Sequence, residues 1–223
     1  MPILKRSKLF AGVGEDEIGA MLGCLQVVAR NYKKGEYVFR QGQNLRQIAL
    51  LVEGSLMVQK EDYWGNRSII QSVEAGEMFG EAYAAPESGP LLSDVVAVAD
   101  STVLLFDVFR VLTVCSAACR FHSMVVQNLV FAVAEKNRQL VQKLGHMAKR
   151  STREKLMSYL SEEAKRQGSS VVTIPFNRQQ LADFLSVDRS AMSNELGKMQ
   201  RDGLLKVDRS HFILIGIEPE EGF

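Results

Sequence analysis

Residues 178–201 read RQQLADFLSVDRSAMSNELGKMQR, a pattern typical of two short helices joined by a tight turn at Ser186. Apolar side chains recur at helical spacing on both sides of that turn and form one internal face. They are Leu181, Ala182, Leu185, Val187, Met192, Leu196 and Met199. Ala182 is small, as a close helix crossing requires. The spacing predicts a helix-turn-helix in which Arg189 to Arg201 form the helix that enters a major groove.

Candidate DNA-contacting residues follow from this assignment. The outward positions of the second helix are Arg189, Ser190, Ser193, Asn194 and Gly197. Arginine pairs with guanine and asparagine with adenine, whereas serine is permissive. Phosphate contacts are expected from Arg178 and Gln179 at the start of the first helix, and from Arg209 in a hairpin that would act as a wing. The alternative is a helical hairpin that only packs; the hairpin after Gly203 favours DNA binding.

Upstream of this motif lies a long helical segment with a heptad stripe. Its steps of four and three residues join Val126, Val130, Val133, Asn137, Leu140, Leu144 and Met147. A single Asn at an a position, here Asn137, favours a two-stranded coiled coil. The stripe predicts a homodimer interface. An ordinary amphipathic helix packed on a sheet is the alternative.

The first half of the chain has a sequence pattern typical of an all-β unit. Glycines at 35, 42, 54, 65 and 76 separate short β-branched and aromatic runs, as in an antiparallel sandwich or barrel. This unit is expected to follow a helix over Glu15 to Val28 and to end near Asp107. Gly65-Asn66 is predicted to form a two-residue hairpin turn.

Composition excludes several classes of protein. The 223 residues are 46% hydrophobic and 24% charged with a net charge of +1, so a globular chain is expected and any basic surface must be local. We find no apolar stretch of about 18 residues and no signal peptide, so no membrane partner is expected. Three cysteines suggest no disulfide framework, which favours the cytoplasm. Without a phosphate loop, a Ser/His/Asp arrangement or H-E-x-x-H, we expect no enzyme.

Taken in chain order, the all-β unit, the heptad helix and the helix-turn-helix resemble the cyclic-AMP receptor / fumarate–nitrate regulator (Crp/Fnr) family over nearly the whole chain. Besides the helix-turn-helix, the resemblance rests on Tyr32-Lys-Lys-Gly35-Glu36, Phe39-Arg-Gln-Gly42, Val52-Glu-Gly54 and Gly76-Glu-Met-Phe-Gly80-Glu81. It implies an α+β chain with three parts. They are a double-stranded β-helix (jelly-roll) sensor domain over 1–110, a dimerisation helix and hinge over 111–149, and a winged helix-turn-helix over 150–223.

The same resemblance implies a mechanism and partners. A small-molecule effector in the β-roll would switch a homodimer between two states and so control a pseudo-palindromic site on double-stranded DNA. RNA polymerase would be a further partner if the protein is an activator. No cofactor beyond the unknown effector is required. The alternative function is a ligand- or redox-sensing regulatory protein that does not act through DNA.

Departures from the family pattern restrict the chemical class of the expected effector. In cyclic-AMP binders an Arg-Ser or Arg-Thr pair clamps the phosphate, but here that stretch reads Pro90-Leu-Leu-Ser-Asp94. Leucine offers a phosphate no charge-assisted hydrogen bond, so we expect no physiological cyclic-nucleotide binding. A less polar effector would contact Phe79, Gly80, Glu81, Leu91, Leu92 and Ser93. The family's Arg-Glu-x-x-x-Arg base readers become Arg189-Ser190-x-x-x-Asn194, which predicts a different DNA site.

Three further residues could respond to a metal or to oxidants. Cys115, Cys119 and His122 would share one face of a helix, and they could bind a metal or haem, react with oxidants, or simply fill space. The N-terminal region holds only Cys24, so the iron–sulfur cluster of the family's oxygen sensors is not expected.

Overall fold

In a computed structural model the chain forms two compact units, Met1–Asn137 and Arg138–Phe223. The structure describes residues 2–84, 89–113 and 120–216. The division falls inside one long helix, and the three domain boundaries given above stay predictions.

Among the residues that the structure describes, the N-terminal unit has helices at its two ends and eight strands between them. Its helices are α1 (Pro2–Arg6), α2 (Glu15–Cys24), α3 (Val108–Leu112) and α4 (Arg120–Met147), the last continuing into the second unit. Its strands are β1 (Val28–Tyr32), β2 (Tyr37–Phe39), β3 (Gln47–Glu53), β4 (Ser55–Glu61), β5 (Arg67–Glu74), β6 (Met78–Phe79), β7 (Asp94–Ala97) and β8 (Ser101–Asp107).

These strands form two four-stranded antiparallel sheets, in the orders β1-β8-β3-β6 and β2-β7-β4-β5. Strand β3 is buried on both faces because its side chains alternate between two cores. Ala49 and Leu51 belong to the core of the roll. Ile48 and Leu50 belong to a second core, which the sheet shares with the helices and which we call the helix-side core. The predicted jelly-roll architecture is therefore confirmed.

One side of α4 packs against the roll. Val125, Leu129 and Ala132 are buried in the helix-side core. The Nδ2 of Asn128 donates to the carbonyl oxygens of Leu9 and Ala11, at 3.0 and 2.9 Å. These contacts fix which side of α4 faces the sheets and leave the opposite side exposed.

Two predicted helix boundaries are corrected. Helix α2 ends at Cys24 rather than Val28, because Val28 begins strand β1 and pairs with Leu105. The long helix does not run from Val111, because Val111 belongs to the separate helix α3, which ends at Leu112; α4 is described from Arg120 onward.

The Gly65-Asn66 turn is also corrected, to a five-residue loop over 62–66 that follows the Glu61–Arg67 pair. The Asp62 carboxylate closes this loop by accepting hydrogen bonds from the backbone N–H groups of Trp64 and Asn66, both at 2.9 Å.

Gly54 makes the tight connection between β3 and β4 and carries a testable consequence. Its φ is +94°, and an added Cβ would overlap Ser101 Oγ and the carbonyl oxygen of Asp100. We expect Gly54→Ala to lower the free energy of unfolding by about 2–4 kcal/mol, because strain and overpacking add. Denaturant unfolding measures this. Gly23→Ala in α2 is the matched control, since a Cβ there meets nothing within 4 Å and helix propensity favours alanine. Equal stability of the two variants would contradict the prediction.

The C-terminal unit contains α5 (Thr152–Gln167), β9 (Val171–Thr173), α6 (Arg178–Leu185), α7 (Arg189–Arg201), β10 (Leu205–Asp208) and β11 (His211–Leu214). Ser151 and Glu154 form the predicted capping box of α5, and Gly168 ends that helix in the left-handed conformation. Strands β10 and β11 form the predicted terminal hairpin, which β9 extends to a three-stranded sheet. The winged helix-turn-helix architecture is confirmed.

The predicted internal face of α6 and α7 is buried. Six of its seven side chains are at most 3% exposed, namely Leu181, Ala182, Leu185, Met192, Leu196 and Met199. Val187, which lies in the turn, is half-buried. Periodicity alone therefore identified the side of each helix that faces the core.

Candidate functional site

The turn between α6 and α7 contains no glycine and is stabilised by hydrogen bonds from side chains. Ser186 has φ 51° and ψ 60°, a left-handed conformation that a helix end favours. The Nζ of Lys155 donates to the carbonyl oxygens of Leu185 and Ser186, both at 3.3 Å. The Asp188 side chain accepts the backbone N–H of Ala191 at 2.7 Å and so caps α7. These bonds fix the start of α7.

Arg153 of α5 anchors α7 at two points. Its Nε donates to Glu195 Oε1 at 2.5 Å, and its second terminal nitrogen lies 2.7 Å from Asp202 Oδ2. The hydrogen bond from Arg153 holds the pKa of Glu195 below its usual value. Sequence reasoning missed this anchor, because no periodic pattern links residues so far apart in the chain.

On the exposed side of α7, the two serine side chains form local hydrogen bonds, whereas those of Arg189 and Asn194 form none with the described residues. Ser190 Oγ donates to Asp188 Oδ1 at 2.5 Å, and Ser193 Oγ donates to the carbonyl oxygen of Arg189 at 2.9 Å. Each hydroxyl has one proton, which these local bonds use. Arg189 and Asn194 are exposed, and none of the residues described by the structure pairs with their side chains. The polar ends of Arg189 and Asn194 are therefore exposed to solvent.

The flanking candidate residues lie at the first helix and at the wing. Arg178 is half-buried, with its guanidinium 5.2 Å from the centre of the Phe212 ring, and burial lowers its pKa. The Nε2 of Gln179 donates to Asp183 at 2.8 Å. Arg209 lies in the turn between β10 and β11 with φ +51°. Lys198 and Arg201, which sequence reasoning did not single out, add exposed positive charge toward the end of α7.

The candidate effector residues do not all line one opening. Phe79 and Leu91 are buried in the core of the roll, where the Phe79 ring lies 5.6 Å from that of Phe39. Leu92 is 58% exposed, whereas Ser93 is buried. Gly80 has φ +83° and begins a short 3-10 turn, Glu81–Tyr83.

Glu81 has a partner that sequence reasoning missed. Its Oε1 lies 2.9 Å from the Nζ of Lys136 on α4, and Lys136 also donates to the carbonyl oxygen of Met78. The Glu81 side chain is 10% exposed and that of Lys136 17%. The second carboxylate oxygen of Glu81 is buried and has no hydrogen-bond partner among the residues that the structure describes. An ion pair thus joins the candidate effector turn to the long helix.

The side of α4 away from the roll carries the heptad stripe. Val130, Val133, Leu140 and Leu144 are 45–64% exposed, Asn137 is exposed and Val126 is half-buried. Phe131 and Val141, which the heptad did not include, are 70% and 60% exposed. So much exposed apolar surface on one helix is typical of an interaction site.

The cysteine and histidine group is only partly described. Cys115 and Cys119 lie outside the described residues. His122 is buried, and its Nε2 lies 2.8 Å from the carbonyl oxygen of Val111, which gives it a structural contact. Within 2–84, 89–113 and 120–216, no cluster of three His, Cys, Asp or Glu side chains could hold a metal ion. No helix in these ranges has the length and apolar character needed to span a membrane.

His146 joins the end of α4 to α5 and makes stability depend on pH. Its Nδ1 lies 2.8 Å from Ser158 Oγ, and its ring packs edge-on against Tyr159. Burial lowers the pKa of His146; Glu162 and Glu163 oppose this effect, while Lys149 adds to it. The unfolded chain keeps a pKa of about 6.5, so it binds more protons than the folded chain on acidification.

We therefore expect the protein to lose stability as the pH falls below about 6.5, so that its Tm is lower at pH 5.5 than at pH 7.5. Thermal unfolding of the parent and of His146→Gln at the two pH values measures this. The variant should lose less stability on acidification, and equal losses in both proteins would show that another group causes the effect.

Comparison with known proteins follows the same division of the chain. A family model described as "Cyclic nucleotide-binding domain" matches residues 29–117, and one described as "Crp-like helix-turn-helix domain" matches residues 154–218. A curated relative is the cyclic AMP receptor protein of Thermus thermophilus, which is 24% identical over 204 residues, covering 92% of this chain and 90% of the relative.

Solved structures share the fold at lower identity. The c-di-GMP responsive global regulator CLP of Xanthomonas campestris has a TM-score of 0.71 at 17% identity, covering 89% of this chain and 98% of that one. FixK2 of Bradyrhizobium japonicum has a TM-score of 0.66 at 20% identity, covering 85% of this chain and 93% of its own. The likeness to these two structures concerns architecture alone.

Proposed function

The chain belongs to the Crp/Fnr family of transcription regulators, and from that premise we propose that it binds a specific DNA site as a homodimer whose affinity an effector in the roll controls. The coarser statement, a regulator with an effector-binding domain and a DNA-binding domain, follows from the two matched domains. The finer parts rest on the geometry of α7, α4 and the turn at Glu81.

The observation that carries DNA binding is the exposed side of α7. The side chains of Arg189 and Asn194 bind no described neighbour. In contrast, the side chains of Asp188, Ser190 and Ser193 form hydrogen bonds within the start of the helix. Arg153 and Lys155 hold the helix and its preceding turn in place. A rigid helix with a free guanidinium and a free amide suits direct readout of base edges. Arg178, Gln179 and Arg209 would contact phosphates on either side.

The exposed stripe of α4 supports the homodimer. Val130, Val133, Leu140 and Leu144 recur at heptad spacing, and two copies of this stripe can cover each other in a parallel coiled coil. Asn137 would pair with its equivalent and fix the register. A two-fold symmetric protein reads two inverted half-sites, so the DNA site is expected to be pseudo-palindromic.

Selection from random-sequence duplexes tests this proposal. We expect the purified protein to enrich an inverted repeat whose half-site centres lie about 10 base pairs, or a multiple of that, apart. A pool that shows no enrichment, with protein that is folded and salt conditions that favour binding, would point to the regulator that does not act through DNA.

The effector that we propose is not a cyclic nucleotide. Residues 78–94 contain no Arg or Lys that could pair with a phosphate, and Leu91 is buried in the roll core. Asp94 is close by in sequence, with its Oδ1 accepting the backbone N–H of Gln41 at 2.8 Å. Isothermal titration with cyclic AMP is expected to show no binding up to millimolar ligand, since charge-assisted phosphate bonds are missing. Micromolar affinity would contradict this part of the proposal.

A further inference from the structure

The side of α4 that faces the roll carries a lysine after three apolar residues. Steps of four, three and four residues bring Val125, Leu129, Ala132 and Lys136 onto one side of the helix. The first three are buried in the helix-side core. The fourth is a lysine whose Nζ binds Glu81 Oε1 at 2.9 Å and the Met78 carbonyl oxygen. An ion pair therefore follows three apolar contacts along this side of the helix.

The Glu81 carboxylate offers one oxygen to the helix and leaves the other without a donor among the described residues. The first oxygen binds Lys136, and the second is buried. A ligand with a hydroxyl or ammonium donor would bind the second oxygen. It would share the negative charge of the carboxylate, which weakens the attraction of Glu81 for Lys136. The lysine stem is long and flexible, so a released ammonium group can reach water.

Because of its position in the chain, release of Lys136 from Glu81 would affect the rest of α4. Lys136 is followed by Asn137, the last residue of the N-terminal unit, and α4 then continues into the C-terminal unit. Any change in how firmly α4 is held at Lys136 acts on the helix that bears the exposed stripe and leads to the DNA-binding unit.

We propose that the Glu81–Lys136 ion pair is a lock that holds α4 on the roll in the effector-free protein, and that the effector opens it by replacing Lys136 at Glu81. The inference rests on the proposed function, since the lock matters only if α4 relays a signal to DNA. It makes Lys136 a positioning residue and requires a hydrogen-bond donor of the effector. Breaking the pair shifts the population toward the DNA-binding state.

Stability and regulation respond differently to loss of this pair, which makes the lock testable. Lys136→Met or Glu81→Gln alone removes one charge and leaves the other partly buried without its counter-ion, which destabilises the fold. The double variant leaves neither charge, so most of the lost stability returns. All three variants lack the lock. A purely structural role predicts that DNA affinity does not change as long as the variants are folded.

The experiment measures DNA affinity by fluorescence anisotropy and Tm by thermal unfolding, on full-length protein without added ligand. We expect each of the three variants to bind the selected DNA about tenfold more tightly than the parent. Tm should fall by several degrees in each single variant and recover in the double variant. Lys60→Met, which removes the charge of an exposed lysine on β4, is the matched control and should leave both readouts unchanged.

The outcomes separate this inference from the proposed function. Unchanged or weaker DNA binding by a folded double variant, beside a parent that binds DNA, overturns the lock alone. If neither the parent nor any variant binds DNA, the proposed function fails and the lock fails with it. Tighter binding in all three variants, with Tm restored only in the double variant, supports the lock.

Discussion

Val133→Glu is expected to convert the protein to monomers and to weaken specific DNA binding at least about 100-fold. Val133 is 45% exposed in the isolated chain and directly precedes Asn137 in the α4 stripe. In a parallel dimer each new carboxylate would face the other across an apolar seam, where it is costly to bury. Loss of the dimer removes one of two half-site contacts, so the effect on DNA affinity is large. Sedimentation velocity and anisotropy measure the two effects.

Gln139→Glu is the matched control for this variant. It adds the same charge at an exposed position of α4 that lies outside the heptad stripe. The control should stay dimeric and bind DNA like the parent. A Val133→Glu protein that remains dimeric would show that the stripe is not the dimer interface, and that the alternative packing of α4 applies.

Arg189→Ala is expected to cost about 1–3 kcal/mol of specific binding, roughly 5- to 150-fold in Kd. The exposed Arg189 guanidinium can make a bidentate contact with one base, and alanine cannot replace that contact. Binding to random duplex should weaken far less, since that affinity comes mainly from phosphates. Competition anisotropy with specific and random duplexes gives the ratio directly.

Arg166→Ala serves as the control for Arg189→Ala. It removes the same charge near the end of α5, where Arg166 pairs with Glu163 at 2.6 Å, outside the predicted DNA-contacting set. Its ratio of specific to random binding should equal that of the parent. An Arg189→Ala protein with an unchanged ratio would show that α7 does not read that base.

Local sequence patterns predicted the parts of the fold that depend on neighbouring residues. The internal face of α6 and α7 follows from helical spacing over residues 181–199, and the capping box at Ser151 follows from a residue three positions on. The exposed and buried sides of α4 differ as the heptad stripe requires. Each of these features is encoded within a few turns of one helix, so periodicity and capping preferences suffice to find it.

Contacts between distant residues could not be predicted in this way. The Glu81–Lys136 pair and the Arg153–Glu195 pair each join elements far apart in the chain, so neither leaves a periodic signal. The start of β1 at Val28 was missed because its partner strand, β8, comes about 75 residues later. The local use of Ser190 and Ser193 depends on hydroxyl geometry that residue type alone does not reveal.

A salt titration of DNA binding tests the claim that this chain binds DNA through α7 of a dimer, because phosphate contacts make the affinity depend steeply on salt. Fluorescence anisotropy of the full chain on a duplex from upstream of its own gene would be recorded from about 50 to 200 mM salt. We predict saturable binding whose logarithm falls linearly with the logarithm of salt concentration, with a slope of about −5 or steeper, as several released counterions require. No binding at the lowest salt, either to this duplex or to the selected one, would contradict the claim.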